Sequence, residues 1–144
     1  MFGEHAIKHW SSTQTLISLS SGEAEYYGLV RGAAHGLGVR NLMNDLGVYR
    51  KLKCKTDASV AKSIASRRGA GKIRHIEVNQ LWLQQRVANG DVEIEKCKTG
   101  ENIADLLTKH QGSDAISKHL KWTGAKIGGE RSSEMPNLST SGIN

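Results

Sequence analysis

The chain has 144 residues, of which 38% are hydrophobic, 24% are charged and 5% are aromatic. This composition predicts one globular domain with a mostly aliphatic core and excludes a disordered chain. The 20 Lys and Arg residues exceed the 14 Asp and Glu residues, and the formal net charge of +6 favours a polyanionic partner such as nucleic acid.

Export and membrane insertion are not indicated by the sequence. Cys54 and Cys97 are isolated from each other, and such cysteines do not form a zinc site. The amino-terminal residues lack the layout of a signal peptide, and no apolar run reaches the roughly 18 residues of a transmembrane helix. We therefore expect a soluble, intracellular protein with no membrane partner.

The first third of the chain predicts strands followed by a long helix. Residues 5–20 contain two short alternating stretches, which predict two strands or one bent strand. Ser20 precedes Glu23 by three residues, the spacing of a capping box, so a helix is predicted to begin there and to end at Gly47. Four glycines lower the propensity of this helix and indicate close packing on a sheet. They are Gly28, Gly32, Gly36 and Gly38.

The remaining elements alternate between strand and helix. Their ranges are a strand over 51–56, a helix over 58–65, a basic loop over 67–74, a helix over 78–85, a strand over 91–98, and helices over 104–108 and 116–122. This order predicts a mixed α/β domain over residues 1–123. Residues 124–144 have little that could pack, and they are predicted to form a disordered tail.

Acidic residues are the first candidates for chemistry. Glu23 and Glu25 lie about 200° apart around a helix, so they cannot face the same site. Glu25 has Leu29 and Ala33 one and two turns further on, which predicts that it faces inward, whereas Glu23 is explained as a cap partner. We therefore select Glu25 as the candidate.

Two aspartates follow predicted element boundaries. Asp57 comes directly after a strand, where open α/β sheets place ligand groups, and its alternative role is to cap the next helix. Asp105 lies near the start of a helix, where a carboxylate also complements the helix dipole. Together with Glu25 and a basic surface, these residues suit a divalent-cation site for phosphodiester cleavage, because hard cations prefer oxygen ligands.

Four sequence blocks occur in one order between residues 10 and 110. They are ISLSSGEAEYYGL, KTDASVAKSIA, the basic loop leading into RHIEV, and ENIADLLTKH. In this order they resemble the ribonuclease H of Copia-type retrotransposon polyproteins. The resemblance implies a ribonuclease H-like mixed sheet flanked by helices and hydrolysis of the RNA strand of RNA–DNA hybrids. It also implies an upstream reverse transcriptase region in the polyprotein, and a location in cytoplasmic virus-like particles or in the nucleus.

The resemblance assigns roles to individual residues. Glu25, Asp57 and Asp105 match the family's carboxylate positions, and all three would bind Mg²⁺ or Mn²⁺ in a two-metal site. His75 matches a family histidine and could contact phosphate or assist proton transfer, and the somewhat favoured alternative is that it caps a helix and binds nothing. Four basic residues in the neighbouring loop could contact a hybrid or duplex backbone, and the alternative is a solvated loop. They are Arg67, Arg68, Lys72 and Arg74.

One part of the family's pattern is missing. Family members begin with a strand that carries a first aspartate, and the chain has no such segment, so the domain is expected to be truncated at its amino end. We expect little or no nuclease activity from the chain alone. Two alternatives remain: an inactive transposon-derived fragment that only binds nucleic acid, and an interaction module in which Glu25, Asp57 and Asp105 lie far apart.

Overall fold

The computed structural model describes residues 2–3, 5–69, 71, 76 and 81–125. Its elements are α1 (Ser21–Asp45), β1 (Leu52–Thr56), α2 (Ser59–Ser66), α3 (Trp82–Ala88), β2 (Val92–Lys96), a 3-10 turn (Thr99–Glu101), α4 (Asp105–Thr108) and α5 (Ser113–Thr123). The protein is therefore a mixed α/β protein, as the sequence predicts. It divides into two compact units, Ser11–Asp105 and the pair of segments Met1–Trp10 and Leu106–Asn144.

The start of α1 confirms the predicted cap. Ser20 Oγ accepts a hydrogen bond from Glu23 N at 3.3 Å, and Glu23 Oε2 accepts one from Leu19 N at 2.9 Å. The first bond satisfies an amide group that the first helical turn leaves without an intrahelical partner, and the second satisfies the amide of the residue before the cap. The helix ends at Asp45 with Leu46 as its C-cap, and Gly47 follows with a φ of +77°, the left-handed conformation that glycine adopts without strain.

Glycines allow α1 to approach its neighbours closely. A Cβ on Gly36 would lie 2.8 Å from Leu52 Cδ1 in β1, which confirms the predicted packing on a strand at this position. A Cβ on Gly22 would lie 2.5 Å from Val60 Cγ1 in α2. Among the residues that the structure describes, none lies within 4 Å of a Cβ built on the other three predicted packing glycines, so the prediction was wrong for Gly28, Gly32 and Gly38.

The sheet of the described residues consists of two parallel strands. Cys54 pairs with Ile94 and Thr56 with Lys96, and the chain crosses from β1 to β2 through α2 and α3. One face packs on the helices around a buried aliphatic and tyrosine core, and its largest fully buried side chains are Tyr26, Ile64, Leu83 and Val92. The described residues do not contain the mixed sheet that the resemblance implies.

The predicted strands over 5–20 are also wrong. Of residues 5–20, only His5 takes part in bridge pairing, in an isolated bridge to Phe2. Ile17 and Leu19 are 87% and 71% exposed, so the alternating side chains do not pack against a sheet face. Alternation indicates a strand only where a partner strand and a core are available to it.

The unit formed by the chain ends contains α5. Ala6 N donates to Thr123 O at 3.1 Å, which joins the amino-terminal segment to the end of this helix. His119 is buried and lies edge-on to the Trp122 ring, with 5.4 Å between ring centroids. Gly124 ends the helix at a φ of +69°. The predicted tail lies outside the described residues from 126 onward, and no helix among those described is long and apolar enough to cross a membrane.

Candidate functional site

The carboxyl ends of the two strands border a cavity of about 420 Å³ that is open to the surface. Cys97 N donates to Thr56 O at 3.0 Å and extends the strand pairing one residue beyond β2. Asp57 follows β1 directly, as the sequence predicts, and it lines the cavity. The other lining residues come from the end of β2 and the turn after it: Lys96, Cys97, Lys98 and Thr99.

Asn102 connects Asp57 to the start of α4. Its Nδ2 donates to Asp57 Oδ1 at 3.2 Å, while its Oδ1 accepts from Ala104 N at 3.3 Å. Its backbone oxygen accepts from Asp105 N at 3.1 Å. A single asparagine therefore fixes the distance between the end of β1 and the helix that begins at Asp105. In the sequence, Asn102 is recognisable only as the lead into a helix.

The negative charges of Asp57 and Asp105 both affect the pKa of the Cys97 thiol. Burial raises the pKa of Cys97, and the negative charges of Asp57 and Asp105 raise this pKa further. Asp105 itself is buried at the first position of α4. Two of the three predicted carboxylates therefore lie at the same end of the sheet, within electrostatic range of Cys97.

Glu25 does not have the inward placement that the sequence predicts. Its side chain is exposed, whereas Glu23 is buried and accepts the hydrogen bond from Leu19. Leu29 and Ala33 are buried as expected, but Leu29 lies at the edge of the buried face of α1. Glu25 lies about 40° further around the helix axis and falls on the exposed side. The role of Glu25 as a metal ligand stays a prediction.

The basic loop is described at only part of its length. Lys72, Arg74 and His75 lie outside the described residues, so their predicted roles stay predictions. Arg68 is exposed, whereas Arg67 is only half-exposed. Burial raises the pKa of Tyr26 to about 12, and the positive charge of Arg67 acts on it in the opposite direction. Arg67 therefore lies near the core beside a buried tyrosine.

Gln84 holds the start of this loop, a role that the sequence analysis missed. Gln84 Nε2 donates to Ile64 O at 2.8 Å and to Gly69 O at 3.1 Å, and Gln84 Oε1 accepts from Gly69 N at 2.8 Å. The side chain is buried, so these bonds satisfy it and the loop backbone together. The signal that could have revealed it is a polar residue beside Leu83 on the apolar side of a helix.

The chain is similar to the retrovirus-related Pol polyprotein from transposon TNT 1-94 of Nicotiana tabacum. The two are 29% identical over 111 residues. This similarity supports a retrotransposon polyprotein as the origin of the chain. The match covers 75% of the chain and 8% of the length of that polyprotein. No family model matches the chain, and no solved structure gives a significant match.

The donor atoms at the strand ends are of the type that magnesium prefers, but their number is low. Asp57 and Asp105 supply carboxylate oxygens. Among the residues that the structure describes, no group of three or more His, Cys, Asp or Glu side chains could hold a metal ion. The structure therefore does not group Glu25 with Asp57 and Asp105 as three ligands, and their roles in metal binding stay predictions.

Proposed function

We propose that the chain is the C-terminal part of a ribonuclease H-like domain from a Copia-type retrotransposon polyprotein. In the complete domain, this part contributes to hydrolysis of the RNA strand of RNA–DNA hybrids. The observation that carries the proposal is the pair Asp57 and Asp105, which lie at the same end of a parallel sheet and are linked through Asn102. The similarity to a Pol polyprotein supports the same origin.

The two aspartates would supply part of a ligand set for Mg²⁺ or Mn²⁺. Bound divalent ions would lower the pKa of the attacking water and stabilise the leaving oxygen. Asn102 would hold the carboxylate of Asp57 in a fixed orientation, because its amide donates to Oδ1 and its own backbone anchors α4. The remaining ligands would come from Glu25 or from the aspartate-bearing strand of the complete domain.

A second function is favoured by the charge of the chain. Its formal net charge is +6. This charge fits a transposon-derived fragment that binds nucleic acid and does not cleave it. Binding without cleavage requires only Lys and Arg side chains that can reach the phosphates of the backbone.

Hydrolysis of a labelled RNA–DNA hybrid in Mg²⁺ and in Mn²⁺ separates the two functions. We would compare the chain with a version extended at its amino end by an aspartate-bearing strand of the Copia type. The extended version should hydrolyse the hybrid, and Asp57→Asn or Asp105→Asn should abolish this activity. Asp45→Asn changes an exposed aspartate at the end of α1, so it serves as the matched control and should have no effect.

The opposite results are equally informative. Failure of both versions to hydrolyse any hybrid, with retained binding, would overturn the nuclease function and support the binding fragment. Equal loss of activity in Asp45→Asn and Asp57→Asn would show that the variants act through folding rather than through the site.

A further inference from the structure

Two exposed lysines, Lys96 and Lys98, line the cavity at the strand ends. Lys96 Nζ lies 2.5 Å from Ser59 Oγ at the first position of α2, which places the ammonium group between β2 and that helix.

Lys96 and Lys98 differ from Lys53, a lysine of the same sheet, in their ion pairing. Lys53 forms ion pairs with Glu95 at 2.6 Å and Glu93 at 3.6 Å, and these two acids neutralise it. Within the described ranges, no carboxylate lies within 4 Å of the ammonium groups of Lys96 or Lys98. Their positive charge therefore remains available to an anionic ligand.

We propose that this cavity binds a phosphodiester group of a nucleic-acid backbone through Lys96 and Lys98. The inference takes its class of ligand from the proposed function and assigns the contact to residues outside the basic loop. Lysines act as point charges toward phosphate, and a cavity of about 420 Å³ is large enough to admit one. Thr99 lines the same cavity and offers a hydroxyl donor.

Asp57 adds a negative charge to the cavity. Its carboxylate shares the cavity with Lys96 and Lys98, so it repels a phosphate bound there unless a cation lies between them. The phosphate therefore binds on the lysine side, beside the candidate site. Removal of the Asp57 charge should strengthen phosphate binding in the absence of divalent cations, although the same substitution abolishes hydrolysis in the proposed nuclease.

Binding of a labelled RNA–DNA hybrid to the full chain tests this assignment. Fluorescence anisotropy at several salt concentrations would compare the double variant Lys96→Ala/Lys98→Ala with the control Lys51→Ala/Lys121→Ala. All four lysines are exposed, and each double variant has two fewer positive charges than the unmodified chain. The first variant should bind on the order of tenfold more weakly. The slope of the logarithm of its binding constant against the logarithm of the salt concentration should become shallower by about 0.9 for each phosphate that it no longer neutralises. The control should bind nearly as well as the unmodified chain.

Two further measurements complete the test. Asp57→Asn in a chelating buffer should raise the affinity for the hybrid, and inorganic phosphate at high concentration should compete only weakly against the multivalent backbone. Equally weakened binding in the two double variants, or absence of salt-dependent binding, would overturn the assignment. Hydrolysis by the extended version is measured separately from binding, so failure of the lysine assignment and failure of the proposed nuclease function can be distinguished.

Discussion

Asn102 Nδ2 lies 3.2 Å from Asp57 Oδ1, and this bond joins two segments that are 45 positions apart in sequence. The same asparagine accepts hydrogen bonds from Ala104 N and Asp105 N. Because the three bonds use both the side chain and the backbone of Asn102, the end of β1 and the start of α4 cannot shift independently. The placement of the two candidate carboxylates depends on a neutral residue.

Replacement of Asn102 should therefore affect stability and the site together. Asn102→Ala removes a hydrogen bond to a carboxylate, and we expect it to lower the free energy of unfolding by about 1.5 kcal/mol. Asn41→Ala, at an exposed position of α1, is the control and should change stability by less than about 0.5 kcal/mol. Urea unfolding followed by circular dichroism measures both, and equal effects would remove Asn102 from its positioning role.

The parts of the fold that local rules determine were predictable from the sequence. The Ser20 cap and the Gly47 end of α1 follow from residue type and spacing, and the alternation from Leu52 to Thr56 correctly predicts a strand with one buried face. The position of Asp57 after this strand follows as well. Each of these features depends on interactions within a few residues.

The parts that depend on distant contacts were not predictable. Residues 5–20 alternate like a strand, but in the described structure Ile17 and Leu19 have no sheet face to cover. Helical spacing alone cannot show how wide the buried face of α1 is, and Glu25 lies about 40° beyond Leu29 at the edge of that face, on the exposed side. The bond from Asn102 to Asp57 links residues far apart in sequence, so no local pattern indicates it.

Alanine substitutions at two glycines of α1 should change the free energy of unfolding in opposite directions. Gly22→Ala would place a Cβ 2.5 Å from Val60 Cγ1 and 2.8 Å from Val60 Cβ, and the β-branched side chain has little freedom to move. We expect a loss of about 1–3 kcal/mol in unfolding free energy. Gly28→Ala meets nothing within 4 Å and should stabilise the protein by about 1 kcal/mol through helix propensity. Thermal unfolding distinguishes them, and a stabilising Gly22→Ala would contradict the close approach of α1 and α2.

Alanine substitutions at the two glutamates near the start of α1 should differ in their effect on the free energy of unfolding. Glu23→Ala removes a buried carboxylate that accepts from Leu19 N, so we expect a loss of about 1–2 kcal/mol in unfolding free energy. Glu25→Ala changes an exposed side chain, and its effect on stability should stay within about 0.5 kcal/mol. Urea midpoints measure the difference. A larger effect from Glu25→Ala would restore the inward placement that the sequence predicts.

Gln84 should protect the loop after α2 from proteolysis. Gln84→Ala leaves Ile64 O, Gly69 O and Gly69 N without this partner, and we expect a cost of about 1–3 kcal/mol. Trypsin should then cleave faster after Arg67 and Arg68, because the loop opens more often. Gln85→Ala is the matched control, since Gln85 is exposed and its side chain bonds to Asn89 on the same helix. Equal cleavage rates in the two variants would exclude Gln84 as the residue that holds the loop.

Cys54 should make stability depend on pH in the alkaline range. Burial raises the pKa of its thiol from 9.0 to about 11 in the folded protein. Between these values the unfolded chain releases a proton that the folded chain keeps, so the unfolded state binds fewer protons and stability falls as pH rises. The contribution is complete below pH 9.0 and is lost as pH approaches 11.

Urea midpoints measured from pH 8 to 11 test this dependence. Cys54→Ala should flatten the decline between pH 9 and 11, whatever its effect on stability at neutral pH. Tyr26→Phe is the control, because burial raises the pKa of Tyr26 from 10.0 to about 12, so its removal should flatten the decline above pH 10 but not between pH 9 and 10. An unchanged slope in Cys54→Ala would mean that solvent reaches the thiol and that the inner face of β1 is less closely covered by α1 than the contact between Gly36 and Leu52 indicates.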